Sequence, residues 1–401
     1  MTGRPIVVVG GGQAGLQAAL SLREHGFEGR LDVVCAESQA PYDRPPLSKR
    51  FLAGTAGTDD LTLRAPAFLD DRRISLVQAT HAVAVDRADA SVALSSGGSL
   101  PYDRLILATG STPRHLPVPG SAHPAVRVLR TVDDATRLRT KLQPGSRVVV
   151  IGAGFTGLEV AATARGLGCE VTVVEALDRV IARALSRPVS EHLLRLHREN
   201  GVRILFGRQV TALDGVSREA AVEVLLADGT RLPADVVVVG VGVRPETALA
   251  ETAGLDVADG VVVDEHLRTG DPRIHAIGDC ARFPDPAGTG SLRLESVQNA
   301  TDQGKYVAAF LMGADAPGYT AVPWFWTDQY AAKLQIAGLT TGHDRCETDG
   351  DPASGRFSVR CYQGGRLLGV ESVNRPADHI KARRELAALR VPAAAAAAAP
   401  V

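Results

Sequence analysis

Aromatic residues make up only 4% of this 401-residue chain, and its five cysteines include no C-x-x-C and no C-x4-C pair. The missing dithiol excludes enzymes that hand electrons to two closely spaced thiols. Cys35 and Cys169 fall in or beside apolar segments and read as small core residues. Neither Cys/His spacing nor an acidic cluster suggests a metal site, so no metal is expected. A formal net charge of −1 argues against nucleic acid as a bulk electrostatic partner. No stretch approaches the roughly 20 apolar residues of a membrane span, and the Met1-to-Pro5 lead has no signal-peptide core. No membrane insertion is expected, and the cytoplasm is the expected address.

What the chain does have is 45% hydrophobic and 22% charged residues, an ordinary globular composition at a length sufficient for two or three domains. Two glycine fingerprints of one kind stand in it: Gly10-Gly11-Gly12-Gln13-Ala14-Gly15 and Gly152-Ala153-Gly154-Phe155-Thr156-Gly157. Each follows a β-branched apolar run, Ile6–Val9 and Val148–Ile151, and each opens an Ala/Leu-rich helical segment, Leu16–Leu22 and Leu158–Leu167. Strand, tight turn and helix form a pyrophosphate site. The first glycine permits the turn, the second admits the phosphates and the third lets helix pack on strand. About 20 residues beyond each fingerprint a strand ends near a carboxylate, Glu37 and Glu175, suited to a ribose diol. Glu175 also repels a 2′-phosphate, so NADH is expected over NADPH, although Arg179 and Arg183 lie close by in sequence.

Residues 1–110 and 240–319 read as one nucleotide-binding domain, interrupted by a second at 111–239, which ends on Val236–Val239 and the glycines Gly240 and Gly242. From about 320 the pattern changes. Trp324, Phe325 and Trp326 concentrate the aromatics, and alternating segments at 333–336, 356–362 and 367–373 precede a helix over 377–389. The expected fold is α/β: two Rossmann-like domains, the second inserted in the first, plus a C-terminal α+β domain over 320–391. Residues 392–401 form an alanine-rich tail.

Longer strings stand in order along the chain: Pro41-Tyr42-Asp43-Arg44-Pro45-Pro46-Leu47-Ser48-Lys49, Ala108-Thr109-Gly110, Gly278-Asp279, Glu295-Ser296-Val297-Gln298-Asn299-Ala300 and Val322-Pro323-Trp324-Phe325-Trp326-Thr327-Asp328-Gln329-Tyr330. Over essentially its whole length before the tail, the chain resembles the oxygenase-coupled, FAD-dependent NADH–ferredoxin reductases of the putidaredoxin-reductase and biphenyl-dioxygenase-reductase type. The resemblance implies a glutathione-reductase-like architecture, FAD in the first domain and NADH in the second. It further implies electron delivery to an iron–sulfur ferredoxin serving a cytochrome monooxygenase or a Rieske-type ring-hydroxylating dioxygenase.

Residue by residue, the resemblance assigns Gly10, Gly12, Gly15, Glu37, Arg44, Lys49, Thr109, Gly110, Asp279, Val297 and Trp326 to FAD. It assigns Gly152, Gly154, Gly157, Glu159, Glu175, Arg183 and Gly242 to NADH, with Lys49 and Glu159 as the residues bearing on the chemistry. Glu159 is expected to pair with Lys49, or else to be a solvated helix carboxylate. Trp326 is a wall of the flavin pocket or ordinary core. Lys333, Lys381, Arg383 and Arg384 are candidates for docking an acidic ferredoxin, or a solvated basic run. The expected cycle passes a hydride from NADH to FAD and then single electrons to the ferredoxin, needing no protein nucleophile. Two alternatives stay open on sequence: an NADH oxidase or peroxidase, and an NADH-gated flavoprotein interaction module.

Overall fold

A computed structural model describes residues 4–215, 221–288, 290–315 and 317–390. The alanine tail and Met1–Gly3 of the lead lie outside the described residues. The chain divides into two compact units. One comprises residues up to 43 with 62–112 and 244–323; the other comprises 44–61, 113–243 and the residues from 324 onward.

The first unit is built on a parallel sheet in the strand order 274–276, 104–107, 6–9, 31–34, 75–77. Ile6–Val9 sits in the middle, pairing with Leu31–Val34 on one side and Arg104–Leu107 on the other. All four of its residues are buried, which is why it reads as an unbroken apolar run and not as an alternation. Strand Ile274–Ala276 pairs with Leu105–Leu107, so the chain rejoins this sheet after the long excursion between them. Helix Gln13–Glu24 packs closely on helix Val297–Leu311 because Gly304 has no side chain: a Cβ there would lie 2.8 Å from the Ala14 carbonyl oxygen.

The second unit repeats the plan in the order 203–205, 170–174, 147–151, 236–239, 126–127, again all parallel with the fingerprint strand central. It also holds an antiparallel sheet in the order 324–329, 332–338, 366–373, 356–363, 345–351, against which helix Pro376–Ala388 packs. Three of these strands and the helix lie within a residue or two of their sequence-predicted positions. Strand Arg345–Asp351 was not foreseen: it is an edge strand with almost every residue exposed, so its polar, acidic sequence carries no alternation to read. One apolar core joins this sheet to the second nucleotide fold and takes in Leu52 from the Pro-rich segment.

His275 lies within the first core, 1% exposed, with neither ring nitrogen hydrogen-bonded. Burial holds its imidazole down to about 4, against about 6.5 in an unfolded chain. Between those values the unfolded state takes up a proton that the folded state refuses, so stability falls as pH drops from about 6.5 to about 4. Unfolding midpoints across that range should decline more steeply for the native chain than for His275→Leu; parallel declines would assign the acid sensitivity to other groups.

Candidate functional site

In the first unit the three fingerprint glycines are needed for three different reasons. Gly10 has φ +116°, and a Cβ on it would lie 2.1 Å from the Ala108 carbonyl oxygen. Gly15 abuts the backbone of the same turn, where a Cβ would meet the Gly10 carbonyl oxygen at 2.0 Å. Gly12, between them, has nothing within 4 Å of its Cβ position. It caps helix Gln13–Glu24 without any side-chain hydrogen bond, leaving the first-turn amides and the helix's positive end for an anion. This cradle fits a pyrophosphate. Glu37 is half-buried, its carboxylate accepting a 2.5 Å hydrogen bond from the Tyr42 hydroxyl.

The other residues of this unit assigned to the flavin lie on loops fixed by hydrogen bonds. The Thr109 hydroxyl donates to the Glu246 carbonyl at 2.6 Å, and the Gly110 carbonyl accepts from the Glu246 amide at 2.9 Å. Asp279 sits in the short turn Gly278–Cys280 and accepts from the Ser111 hydroxyl at 2.8 Å. Buried Gln303 accepts from the Gly278 amide at 2.7 Å and so holds that turn. Val297 is the first residue of its helix, behind Ser296, whose hydroxyl accepts from the Asn299 amide.

The second unit reproduces the glycine logic. Gly152 has φ +101° and would clash with the Gly240 carbonyl oxygen at 2.5 Å, Gly157 would clash with the Gly152 carbonyl oxygen at 2.2 Å, and the nearest atom to a Cβ on Gly154 is 3.9 Å away. Gly154 caps helix Phe155–Gly166, again with no side-chain cap. The Glu175 carboxylate accepts from the Ala153 amide at 2.7 Å and from the Leu177 amide at 2.9 Å. These bonds fix it beside the fingerprint turn, with lone pairs to spare for a diol. Arg179 is committed to the Ala182 and Leu185 carbonyls, whereas Arg183 is exposed. Gly242 has φ +104°, and the atom nearest its Cβ position is Arg114 Cδ at 3.9 Å.

Lys49 and Glu159 meet as expected, Nζ to Oε1 at 2.7 Å, with side-chain exposures of 23% and 8%. Two further groups hold the same carboxylate. The Ser48 hydroxyl donates to Oε2 at 2.5 Å, and the Thr327 hydroxyl donates to Oε1 at 2.6 Å. Behind Thr327 the network continues into the core. Gln329 Nε2 donates to the Thr327 hydroxyl at 3.2 Å, and Gln329 Oε1 lies 2.9 Å from His197 Nε2. Gln329 Oε1 can only accept, so His197 carries its proton on Nε2; burial holds that imidazole below its usual range, keeping it neutral. A buried carboxylate is tolerated only when charge and lone pairs are both answered, and removing one partner of such a pair costs about 3–5 kcal/mol. Ser48 and Thr327 were not foreseen as functional, although both stand inside the strings that carry the family pattern.

Arg44, one turn before Lys49, donates to the Arg130 carbonyl at 2.7 Å. Trp326 is half-buried on strand Trp324–Gln329, its ring centroid 5.5 Å from that of Trp324. Of the basic residues considered for docking, Lys333, Lys381 and Arg384 are exposed, whereas the Arg383 guanidinium lies over the Trp324 ring at 4.9 Å. All five cysteines are free thiols. Cys346 and Cys361 come together in space, Sγ to Sγ 3.4 Å. Burial pushes both thiols up, and the Glu371 charge pushes both further, so neither is poised as a reactive thiolate.

Comparison with known proteins settles the family. Residues 4–304 match the family model described as pyridine nucleotide-disulphide oxidoreductase, and residues 324–401 match one described as reductase C-terminal. The chain belongs to the pyridine nucleotide-disulphide oxidoreductase family. It is 49% identical over 382 residues to rhodocoxin reductase of Rhodococcus erythropolis, covering 95% of this chain and 89% of that protein. It is 41% identical over 395 residues to the ferredoxin–NAD(+) reductase component of the anthranilate 1,2-dioxygenase system of Burkholderia cepacia, covering 98% and 96%. Among solved structures it matches the covalent putidaredoxin reductase–putidaredoxin complex with a TM-score of 0.92 and 42% identity, over 96% of this chain and 93% of that one. The family's name refers to disulphide chemistry; this chain has no C-x-x-C or C-x4-C pair.

Ser48→Ala and Thr327→Val each remove one donor to a buried carboxylate without removing its counter-charge. Each should lower unfolding stability by about 1–3 kcal/mol, measured by urea denaturation of the flavin-loaded protein. No loss in either would mean that Lys49 alone satisfies Glu159.

Proposed function

We infer that this chain is the reductase of an oxygenase system, passing electrons from NADH through FAD to a small iron–sulfur ferredoxin. The observation that carries this reading is the duplicated glycine cradle, open at Gly12 and at Gly154, in a chain whose sequence holds no C-x-x-C or C-x4-C pair. Two cradles serve two dinucleotides, and without such a sequence pair the electrons leave by another route than sulfur exchange. The relatives named above are reductases of rhodocoxin, of putidaredoxin and of a dioxygenase system. That range supports a ferredoxin feeding a monooxygenase or a ring-hydroxylating dioxygenase.

We assign residues 1–110 and 240–319 to FAD binding, 111–239 to NADH binding and 320–391 to the C-terminal domain. Bound FAD would supply the conversion between two-electron delivery from NADH and single-electron delivery to the ferredoxin. The chain's own residues prepare for this. Gly10, Gly12 and Gly15, with Glu37, hold the adenosine and pyrophosphate end, while Thr109, Gly110, Asp279 and Val297 hold the rest of the flavin from the same unit. Arg44, Lys49 and Trp326 are also assigned to FAD. Gly152, Gly154, Gly157, Glu175, Arg183 and Gly242 hold NADH. Glu159 positions Lys49, whose fixed ammonium favours negative charge beside it. With every cysteine a free thiol, a reducing cytoplasm is the proposed address. No helix among the described residues is long and apolar enough to cross a membrane.

In steady state, reduction of cytochrome c through an added ferredoxin should far exceed oxygen consumption; peroxide production matching NADH use would instead make the chain an oxidase. The Glu175 carboxylate should favour NADH over NADPH by about tenfold or more in kcat/KM. Equal efficiency with the two nucleotides would refute the role given to Glu175, and Glu175→Gln should narrow the gap.

A further inference from the structure

The antiparallel sheet of the second unit brings together three ligand groups that the mechanism does not use. Cys346 and Cys361 are directly opposite one another on adjacent strands, so both side chains lie on one face of the sheet. His343 lies in the turn before strand Arg345–Asp351. One of its ring nitrogens and the two Sγ atoms all lie within 4.8 Å of one another. We propose that His343, Cys346 and Cys361 form a zinc site.

Three features of the surroundings support it. The sulfurs are 3.4 Å apart, close to the spacing of about 3.8 Å that two thiolates take on one tetrahedral zinc with bonds of about 2.3 Å. His343 Nδ1 lies 2.7 Å from the Thr340 carbonyl oxygen. The ring therefore carries its proton there and keeps its lone pair on Nε2, the arrangement that orients metal-binding histidines. The turn is already fixed: Gln363 Nε2 donates to the Gly342 carbonyl at 2.9 Å, and the Gly364 amide donates to Asp344 at 2.7 Å.

Two thiolates and one imidazole are a borderline-soft set suited to zinc, with a fourth position left for water. Binding releases the two thiol protons to solvent and requires no oxidant. The competing state of the same cysteines is a disulfide, which would leave His343 without a role. The ligands are hidden from sequence because their spacing follows a sheet register and not a short loop.

The test uses the full-length, flavin-loaded protein, reduced, stripped with EDTA and dialysed against micromolar zinc, with metal counted by mass spectrometry. The native chain should retain one zinc, Cys346→Ser none, and His343→Ala should bind at least about tenfold more weakly. Cobalt in place of zinc should add thiolate-to-metal absorption that Cys346→Ser lacks. Unchanged flavin reduction by NADH would confirm that the variants are folded. Equal zinc in all three proteins, no zinc in the native chain, or an intact mass two hydrogens short from a Cys346–Cys361 disulfide that persists after reduction would overturn the proposal.

Discussion

One buried carboxylate organises the second unit. Glu159 begins on the fingerprint helix and is answered by the Pro-rich segment through Ser48 and Lys49 and by the C-terminal sheet through Thr327. These three stretches are far apart in sequence. The charge is costly to bury alone, so they are held to a single arrangement in which the carboxylate is satisfied. The apolar core supplies bulk attraction between the same elements but is tolerant of sliding. Directional bonds to two carboxylate oxygens are not. The network's extension through Gln329 to neutral His197 carries that fixed geometry onto a fourth element, helix Arg187–Glu199.

The two nucleotide folds answer a different demand, that of receiving phosphate without a cationic side chain. Each places an apolar strand at the centre of a parallel sheet, turns sharply at a left-handed glycine and begins a helix whose amides no side chain caps. The second glycine of each turn leaves the uncapped helix start unobstructed. The first and third glycines are the steric conditions that allow it, as the clashes at Gly10 and Gly157 make plain. Glu175 is fixed beside the second of these turns by the amides of Ala153 and Leu177.

Much of this was legible in the sequence because each feature has a local signature. Fully buried strands read as β-branched runs, glycine spacing reads as a turn, and Glu159 stands at a fixed distance from the last fingerprint glycine. The helices nevertheless begin earlier than hydrophobic spacing suggests, at Gln13 and Phe155, because the capping glycines and the residues after them carry no apolar periodicity. Strand Arg345–Asp351 was invisible for want of a buried face. Ser48, Thr327, Gln329 and His197 were passed over for another reason: a hydroxyl or amide becomes important only through what it faces, and these partners are brought together by tertiary packing.

The central claim is that Glu159 positions Lys49 for electron entry and does not merely stabilise the protein. The most direct measurement is anaerobic single-turnover bleaching of the flavin by NADH in Glu159→Ala, read alongside its FAD content. The account predicts reduction slowed by about a hundredfold with FAD retained at the native level. Bleaching at the native rate would contradict it, as would a slowdown that follows loss of FAD.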